Sequence, residues 1–254
     1  MKRTLKVLSA ALSYPTAELQ AAVPEMRAAL DAEPLLPQKN RDRLNRLLEE
    51  ISTRDLYDLQ ERYVLLFDRT RSLSLNLFEH VHGESRDRGQ AMVDLMALYE
   101  RNGLAIRTGE LPDHLPLFLE FLSEVPEAEA RGLIAETAHI LEAIRQRLKT
   151  RKVLYSFVFS CVLSLAGTRP QSAVVEALLG ERDDNPEDLA ALDAAWEEEE
   201  VTFGPGAAAQ CGKEDLISKI RAIRRPAPGA EPPKPQRPVV TYNGRTLPDE
   251  THNA

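Results

Sequence analysis

Glu79-His80-Val81-His82-Gly83-Glu84 packs two imidazoles and two carboxylates into six residues. These are the side chains that ligate a divalent metal or relay a proton. On an unbroken helix His80 and His82 would point about 200° apart and could not share one ion. A bend at Gly83 would bring them together, and His114 and His139 could add ligands from elsewhere in the chain. The spacing is not that of H-E-x-x-H, where two imidazoles one turn apart face the same metal. A hydrogen-bonded polar patch is therefore the simpler reading. A metal-dependent hydrolase using His80, His82 and His114 with Glu84 stands only as the alternative, and neither a metal nor a cofactor is expected.

Arg86, Asp87 and Arg88 follow immediately, ahead of Gly89 and a helical run from Gln90 to Asn102. Charge of that density does not suit a plain core element. It suits either a helix start laced with local ion pairs or a polar site that holds a peptide or a cofactor group. The second constellation is Glu110-Leu111-Pro112-Asp113-His114-Leu115-Pro116. Pro112 reads as the first residue of a helix running through Leu122, and Asp113 as a first-turn carboxylate stabilised by the helix dipole. That reading leaves His114 and Pro116 unexplained. Leu117, Phe118, Phe121 and Leu122 read as core. Nucleotide motifs fail: Gly206 to Lys213 has the wrong glycine spacing for a phosphate loop and Glu214 where a Ser or Thr is needed. There is no G-x-G-x-x-G and no G-x-S-x-G.

The elements that must position these residues are helical almost throughout. Leu5, Leu8 and Leu12 recur at helical spacing, so the N-terminus reads as an amphipathic helix rather than a signal peptide, whose apolar run Lys6 would interrupt. Thr16 to Ala32 is rich in helix formers. Ser52-x-x-Asp55 resembles a capping box ahead of Leu56, Leu59, Tyr63 and Leu66. Met92, Leu95, Met96 and Tyr99 form a further stripe that Asn102-Gly103 terminates. Leu133, Ile140, Ile144 and Leu148 line one face of a helix after Pro126. The uncharged stretch Val153 to Gly167 spans fifteen residues, too short for a membrane-spanning helix of roughly twenty, and reads as a helix buried inside a bundle. A last short helix is expected from Glu214 to Ile223. No alternating β pattern and no fixed-period repeat occur. The expectation is an all-α, single-domain helical bundle of about eight to ten helices over residues 1–225.

The chain has 254 residues and a net charge of −8, all of it in residues 1–225. That acidity argues against nucleic acid and favours a basic partner. Cys161 and Cys211 form no C-x-x-C pair, which excludes a disulfide framework or a cysteine-only cluster site within one chain. Asp183 to Glu200 holds nine acidic residues and no basic one, with the single tryptophan, Trp196, at its edge. Pro226 to Pro248 holds seven of seventeen prolines, so residues 226–254 are expected to be a disordered tail.

Phe78-Glu79-His80-Val81-His82-Gly83-Glu84-Ser85-Arg86-Asp87-Arg88-Gly89-Gln90-Ala91-Met92 resembles the signature of the nitrate reductase assembly chaperones. These are the delta chains of the respiratory nitrate reductase system, within the larger family of redox-enzyme maturation proteins. Glu110-Leu111-Pro112-Asp113-His114-Leu115 is similar to that larger family's E-x-P-D-H type motif. Tyr63 to Asp68 and Ala195 to Phe203 resemble further family segments, and the likeness extends over residues 1 to about 205. The Pro-rich tail matches none of them.

This resemblance implies an all-helical cytoplasmic chaperone with no catalytic activity and no insertion into the membrane. Such proteins bind the immature catalytic (alpha) subunit of nitrate reductase before its molybdenum cofactor is inserted. They support iron–sulfur incorporation and then leave, with molybdenum-cofactor delivery proteins as further partners. One recognised element is the client's N-terminal segment, a remnant of a twin-arginine-type signal that binds as an amphipathic helix. Glu79, His80, His82, Glu84, Arg86, Arg88, Glu110, Pro112, Asp113 and His114 are then the candidate partner-binding residues. Glu79, Glu84 and Asp113 would form an acidic rim around an apolar groove, and Arg86 and Arg88 would pair internally to fix the bend at Gly83.

Overall fold

The computed structural model describes residues 1–82, 86–106, 109–168 and 170–180, with the side chains of His82 and Arg86 outside that description. The acidic run, Cys211, the helix expected at Glu214–Ile223, the boundary at 225/226 and the tail all lie outside the described residues.

The fold is all-α. The described helices are α1 (Lys2–Ala11), α2 (Ala17–Ala21), α3 (Val23–Ala32), α4 (Gln38–Thr53), α5 (Leu56–Tyr63), α6 (Glu79–His82), α7 (Arg86–Arg101), α8 (Leu115–Leu122), α9 (Glu127–Thr150), α10 (Ser156–Ala166) and α11 (Ser172–Gly180). A π-helical turn at Val64–Asp68 and a 3₁₀ turn at Arg71–Leu73 connect α5 to the segment before α6. Helix α10 is the apolar stretch expected to be central. It packs against α9, α4 and α1, and Val158, Phe159, Cys161 and Val162 are fully buried. Burial pushes the Cys161 thiol up to about 12, so it is an inert core sulfur. The α10 carbonyl at Ser160 accepts from Asn40 Nδ2 at 3.2 Å, tying α10 to the start of α4.

Helix α1 lies against α8 and α3. Its leucines face inward at the expected spacing, and Ser9 Oγ donates to the Pro116 carbonyl at 2.7 Å inside the core. Glu33, at the end of α3, accepts from the Thr4 backbone and hydroxyl, both at 2.7 Å, and meets the N-terminal ammonium at 3.0 Å. Burial opposes ionisation of Glu33, but these contacts outweigh it and hold the carboxyl down to about 2.

One helical run proves to be two helices, and three local expectations are corrected. The Thr16–Ala32 run divides into α2 and α3 at Ala22, because Pro24 falls in the first turn of α3, where its missing N–H costs nothing. Ser52 and Asp55 do not form a capping box. Ser52 Oγ bonds back to the Glu49 carbonyl at 2.9 Å, while Asp55 is itself the N-cap of α5, accepting from Tyr57 N at 2.9 Å. On α7 the inward stripe is Ala91, Leu95, Leu98 and Tyr99, leaving Met96 exposed. Finally, α8 begins at Leu115 rather than Pro112, and Pro116 takes the first-turn place. The C-terminal signal of α7 holds: Gly103 adopts φ 76° and Leu104 N returns to the Tyr99 carbonyl at 3.0 Å.

Arg147 of α9 joins three elements at the base of the bundle. It is 5% exposed and donates to the Ser72 carbonyl at 3.0 Å and the Leu178 carbonyl at 2.6 Å. One guanidinium thus fastens the 3₁₀ turn and α11 to α9. Arg147→Met should lower the free energy of urea unfolding by about 2–4 kcal/mol, since two buried carbonyls lose charged donors. Arg147→Lys should recover less than half of that loss, because an ammonium lacks the fork that reaches both oxygens. Full rescue by lysine would show that charge alone matters here.

Candidate functional site

The two sequence constellations, more than thirty residues apart, meet in the structure. The backbone at Asn76 and His114 forms an isolated antiparallel bridge. Leu115 N donates to the Leu75 carbonyl at 2.8 Å, and Leu77 N donates to the Asp113 carbonyl at 3.1 Å. The Asp113 side chain completes the pattern, Oδ2 accepting from Phe78 N at 2.9 Å just before α6. This is why α8 starts late: residues 111–114 are spent on a turn and a bridge, with His114 N closing on the Leu111 carbonyl at 3.0 Å.

Asp113 is 0% exposed, so it cannot serve as a rim carboxylate. Nor does it sit in a helical first turn. Burial raises its pKa to about 6, opposed by the Phe78 N–H and by the positive charge of Arg88. Its Oδ1 has no hydrogen-bond partner among the described residues. Pro112 is also buried, and its carbonyl accepts from the Tyr99 hydroxyl at 2.6 Å.

Glu79 of α6 and Arg88 of α7 form an ion pair at 3.0 Å; the bend expected at Gly83 lies outside the described residues. Burial works against the Glu79 charge, but hydrogen bonds from Ser74 and Asn76 and the Arg88 charge win, and its pKa is lowered. His80 Nε2 lies 2.8 Å from the Ser74 carbonyl and must donate to it, which defines its tautomer. Burial, with Arg147 and Arg71 nearby, keeps the His80 pKa below its ordinary value despite that bond. His114 is likewise lowered by burial, with Glu110 pulling the other way from 3.8 Å. Burial alone lowers His139. Among the described residues no group of three His, Cys, Asp or Glu could hold a metal ion. Nothing here supports the hydrolase alternative. Glu84 and the side chains of His82 and Arg86 lie outside the described residues. Of the sequence-nominated residues, Glu110 is the one that stands exposed, beside exposed Leu111.

A surface site lies elsewhere, at residues the sequence did not single out. A groove of about 460 Å³ opens over α5 and the π turn, lined by Tyr14, Tyr57, Asp58, Gln60, Glu61, Val64, Leu65 and Arg69. Tyr57 is 79% exposed and Tyr14 40%. Its floor is rigid. Gln60 Nε2 donates to the Pro15 carbonyl and the Tyr63 hydroxyl to the Leu12 carbonyl, both at 2.9 Å. Edge-to-face contacts run from Tyr14 to Tyr63 at 5.5 Å, on to Phe67 at 5.0 Å, and from Phe67 to Tyr155 before α10 at 5.1 Å. The π turn, closed by Arg69 N on the Val64 carbonyl at 3.0 Å, sends Leu66 and Phe67 inward while Val64 and Leu65 face the groove.

Carboxylates border this surface. Among the described residues Glu61 has no ion pair, and Asp58 has only Arg54 at 3.8 Å. Asp68, on the same π turn, has its pKa raised by partial burial and then by the negative charge of Glu110. The negative charge of Glu110 in the second constellation is thus felt at the acid of the π turn.

The groove thus joins exposed tyrosine and aliphatic surface to the carboxylates of Asp58 and Glu61 and the guanidinium of Arg69, on an all-helical chain. Residues 15–159 match the family described as nitrate reductase delta subunit. The chain is 47% identical over 201 residues to the nitrate reductase molybdenum cofactor assembly chaperone NarJ of Escherichia coli K12, covering 78% of this chain and 84% of that protein. It is 40% identical over 215 residues to the probable assembly chaperone NarW of the same organism, covering 84% and 88%. A probable NarJ from Bacillus subtilis is 28% identical over 161 residues, covering 63% and 86%. The chain belongs to the nitrate reductase delta subunit family.

Asp113 gives a pH signature. Folding raises its pKa from 3.8 to about 6, so its contribution to stability is fully present below 3.8 and is lost as pH rises through about 6. Asp113→Asn keeps an acceptor for Phe78 N–H and carries no charge. Relative to the native chain it should gain stability as pH rises from 4 to 7.5, measured by urea midpoints. Asp113→Ala should lose about 1–3 kcal/mol near pH 5, because the buried Phe78 N–H then lacks an acceptor. A pH-independent difference between Asn and Asp would show that Asp113 titrates normally.

Proposed function

We propose that this chain is an assembly chaperone for respiratory nitrate reductase. It binds the immature catalytic subunit, holds it competent for molybdenum-cofactor and iron–sulfur insertion, and dissociates from the finished enzyme. The observation that carries this reading is the match, over most of both chains, to relatives named as nitrate reductase molybdenum cofactor assembly chaperones. It acts by mass action rather than by covalent chemistry, favouring the open form of its client and releasing the closed one. Its place of action is the cytoplasm. No described helix is long and apolar enough to cross a membrane, which accords with that placement. Molybdenum-cofactor delivery proteins are transient partners of the same complex.

The recognised element is the client's N-terminal segment, bound as a basic amphipathic helix in the groove over α5. Its apolar face packs on Tyr14, Tyr57, Val64 and Leu65, and its cations meet Asp58, Glu61 and the Asp68–Glu110 pair. Glu79, His80, Arg88, Pro112, Asp113 and His114 contribute from behind, holding the segment that carries Glu110 in register; His82, Glu84 and Arg86 complete the motif.

Calorimetric titration of the full chain with a peptide of the client's first twenty or so residues tests this. Binding should be micromolar or tighter, weaken with salt, and show a negative heat-capacity change from apolar burial. Glu61→Lys and Glu110→Lys should each weaken it about tenfold, and Tyr57→Ala by a similar factor, with unchanged unfolding midpoints. Full affinity in all three would move recognition away from this groove.

A further inference from the structure

The groove has a candidate occupant within the chain. Lys213 to Arg225 reads Lys-Glu-Asp-Leu-Ile-Ser-Lys-Ile-Arg-Ala-Ile-Arg-Arg, with five basic residues against two acidic ones. Four of those cations, Lys219, Arg221, Arg224 and Arg225, fall after the last acid, in a chain whose overall charge is −8. Leu216, Ile220 and Ile223 recur at i, i+4 and i+7, the anchor spacing of a helix laid into an apolar groove.

We propose that residues 213–225 dock intramolecularly in the Tyr14–Tyr57 groove and compete there with the client segment. The competition rests on the function proposed above; the docking does not. The groove offers the matching chemistry. Two exposed tyrosines and the Val64–Leu65 floor accept the Leu216–Ile220–Ile223 face. Asp58 and Glu61, two carboxylates against the single cation Arg69 on the lining, accept the arginines.

Connectivity favours it. The described chain ends at Gly180, and Arg147 bridges the carbonyls of Leu178 and Ser72, placing that end beside the turn that follows Arg69 of the groove lining. The 32 residues between Gly180 and Lys213 cannot carry the segment farther than about 110 Å from that point, at about 3.3 Å per residue. Confinement to a sphere of that radius alone amounts to a few tenths of a millimolar, on the order of the effective concentrations that tethers provide. A segment with a bimolecular Kd near 30 μM would then occupy the groove about nine-tenths of the time. A second molecule would have to be equally concentrated to compete.

A fluorescent peptide of residues 213–225 titrated onto the full chain tests the proposal by anisotropy. The native chain should bind it about tenfold more weakly than the full-length variant R221E/R224E/R225E, whose own segment no longer fills the groove. In that background Tyr57→Ala or Glu61→Lys should abolish the tight binding. Hydrogen exchange at residues 56–69 should be slower in the native chain than in the triple variant, at any protein concentration. Equal peptide affinity for native chain and triple variant would overturn the proposal. So would tight binding insensitive to Tyr57 and Glu61 but lost when Glu197 to Glu200 become glutamine, which would assign the segment to the acidic run. Protection that grows with protein concentration would assign it to a second copy of the chain and overturn the intramolecular form. Titrating the client peptide onto the same two proteins separates the readings. If it binds neither while the tail peptide behaves as expected, the client assignment fails and the intramolecular docking stands.

Discussion

One hydrogen bond organises the middle of this protein: the Asp113 carboxylate accepting the Phe78 N–H at 2.9 Å in a fully buried setting. A buried backbone N–H at the start of a four-residue helix needs an acceptor, and none is available within the helix itself. Asp113 supplies it from another segment, and the adjacent backbone bridge between Asn76 and His114 sets the register. Around that point the remaining polar groups are also spent inward, His80 on the Ser74 carbonyl, Glu79 on Arg88 and Arg147 on the Ser72 carbonyl. The strap of residues 70–80 is therefore held at several points, each a buried polar group that would be costly to leave unpaired.

That strap positions what faces outward. The π turn directly precedes it, and the aromatic ladder from Tyr155 through Phe67 and Tyr63 to Tyr14 carries the order of the core to the surface. Glu110, three residues before Asp113, raises the pKa of Asp68 on the π turn through its charge. A partner that binds with its cations on this surface thus meets carboxylates whose positions are set from the interior. Preorganisation of this kind lowers the ordering cost of any ligand that such a surface takes.

The helices themselves were largely legible in the sequence. Leucine spacing in α1, the face of α9, the uncharged run of α10 and the Asn102-Gly103 terminator all report local physics, and each lies where its pattern puts it. The errors share a different cause. Pro112 and Asp113 look like a helix start, and in isolation they would make one; a bridge to a distant segment takes their backbone instead. Ser52 and Asp55 carry the residue types of a capping box, but Asp55 caps directly and displaces Ser52 from the role. Met96 reads as core by period, yet α7 turns its other stripe inward.

The candidate site divides in the same way. Residue types and motif order alone point to the family, to an acidic, helical protein and to a basic partner, because those follow from composition, periodicity and contiguous signatures. Whether a charged motif residue faces the partner or the core is not a local property. The same carboxylate is a rim contact when solvated and an internal latch when buried, and only the packing of α6, α7 and α8 places Asp113 in the second class and Glu110 outside. The Tyr14–Tyr57 groove is likewise a tertiary product. Its two tyrosines lie far apart in the chain on unrelated patterns, and they share a surface because Gln60 and Tyr63 bind α5 to the turn after α1.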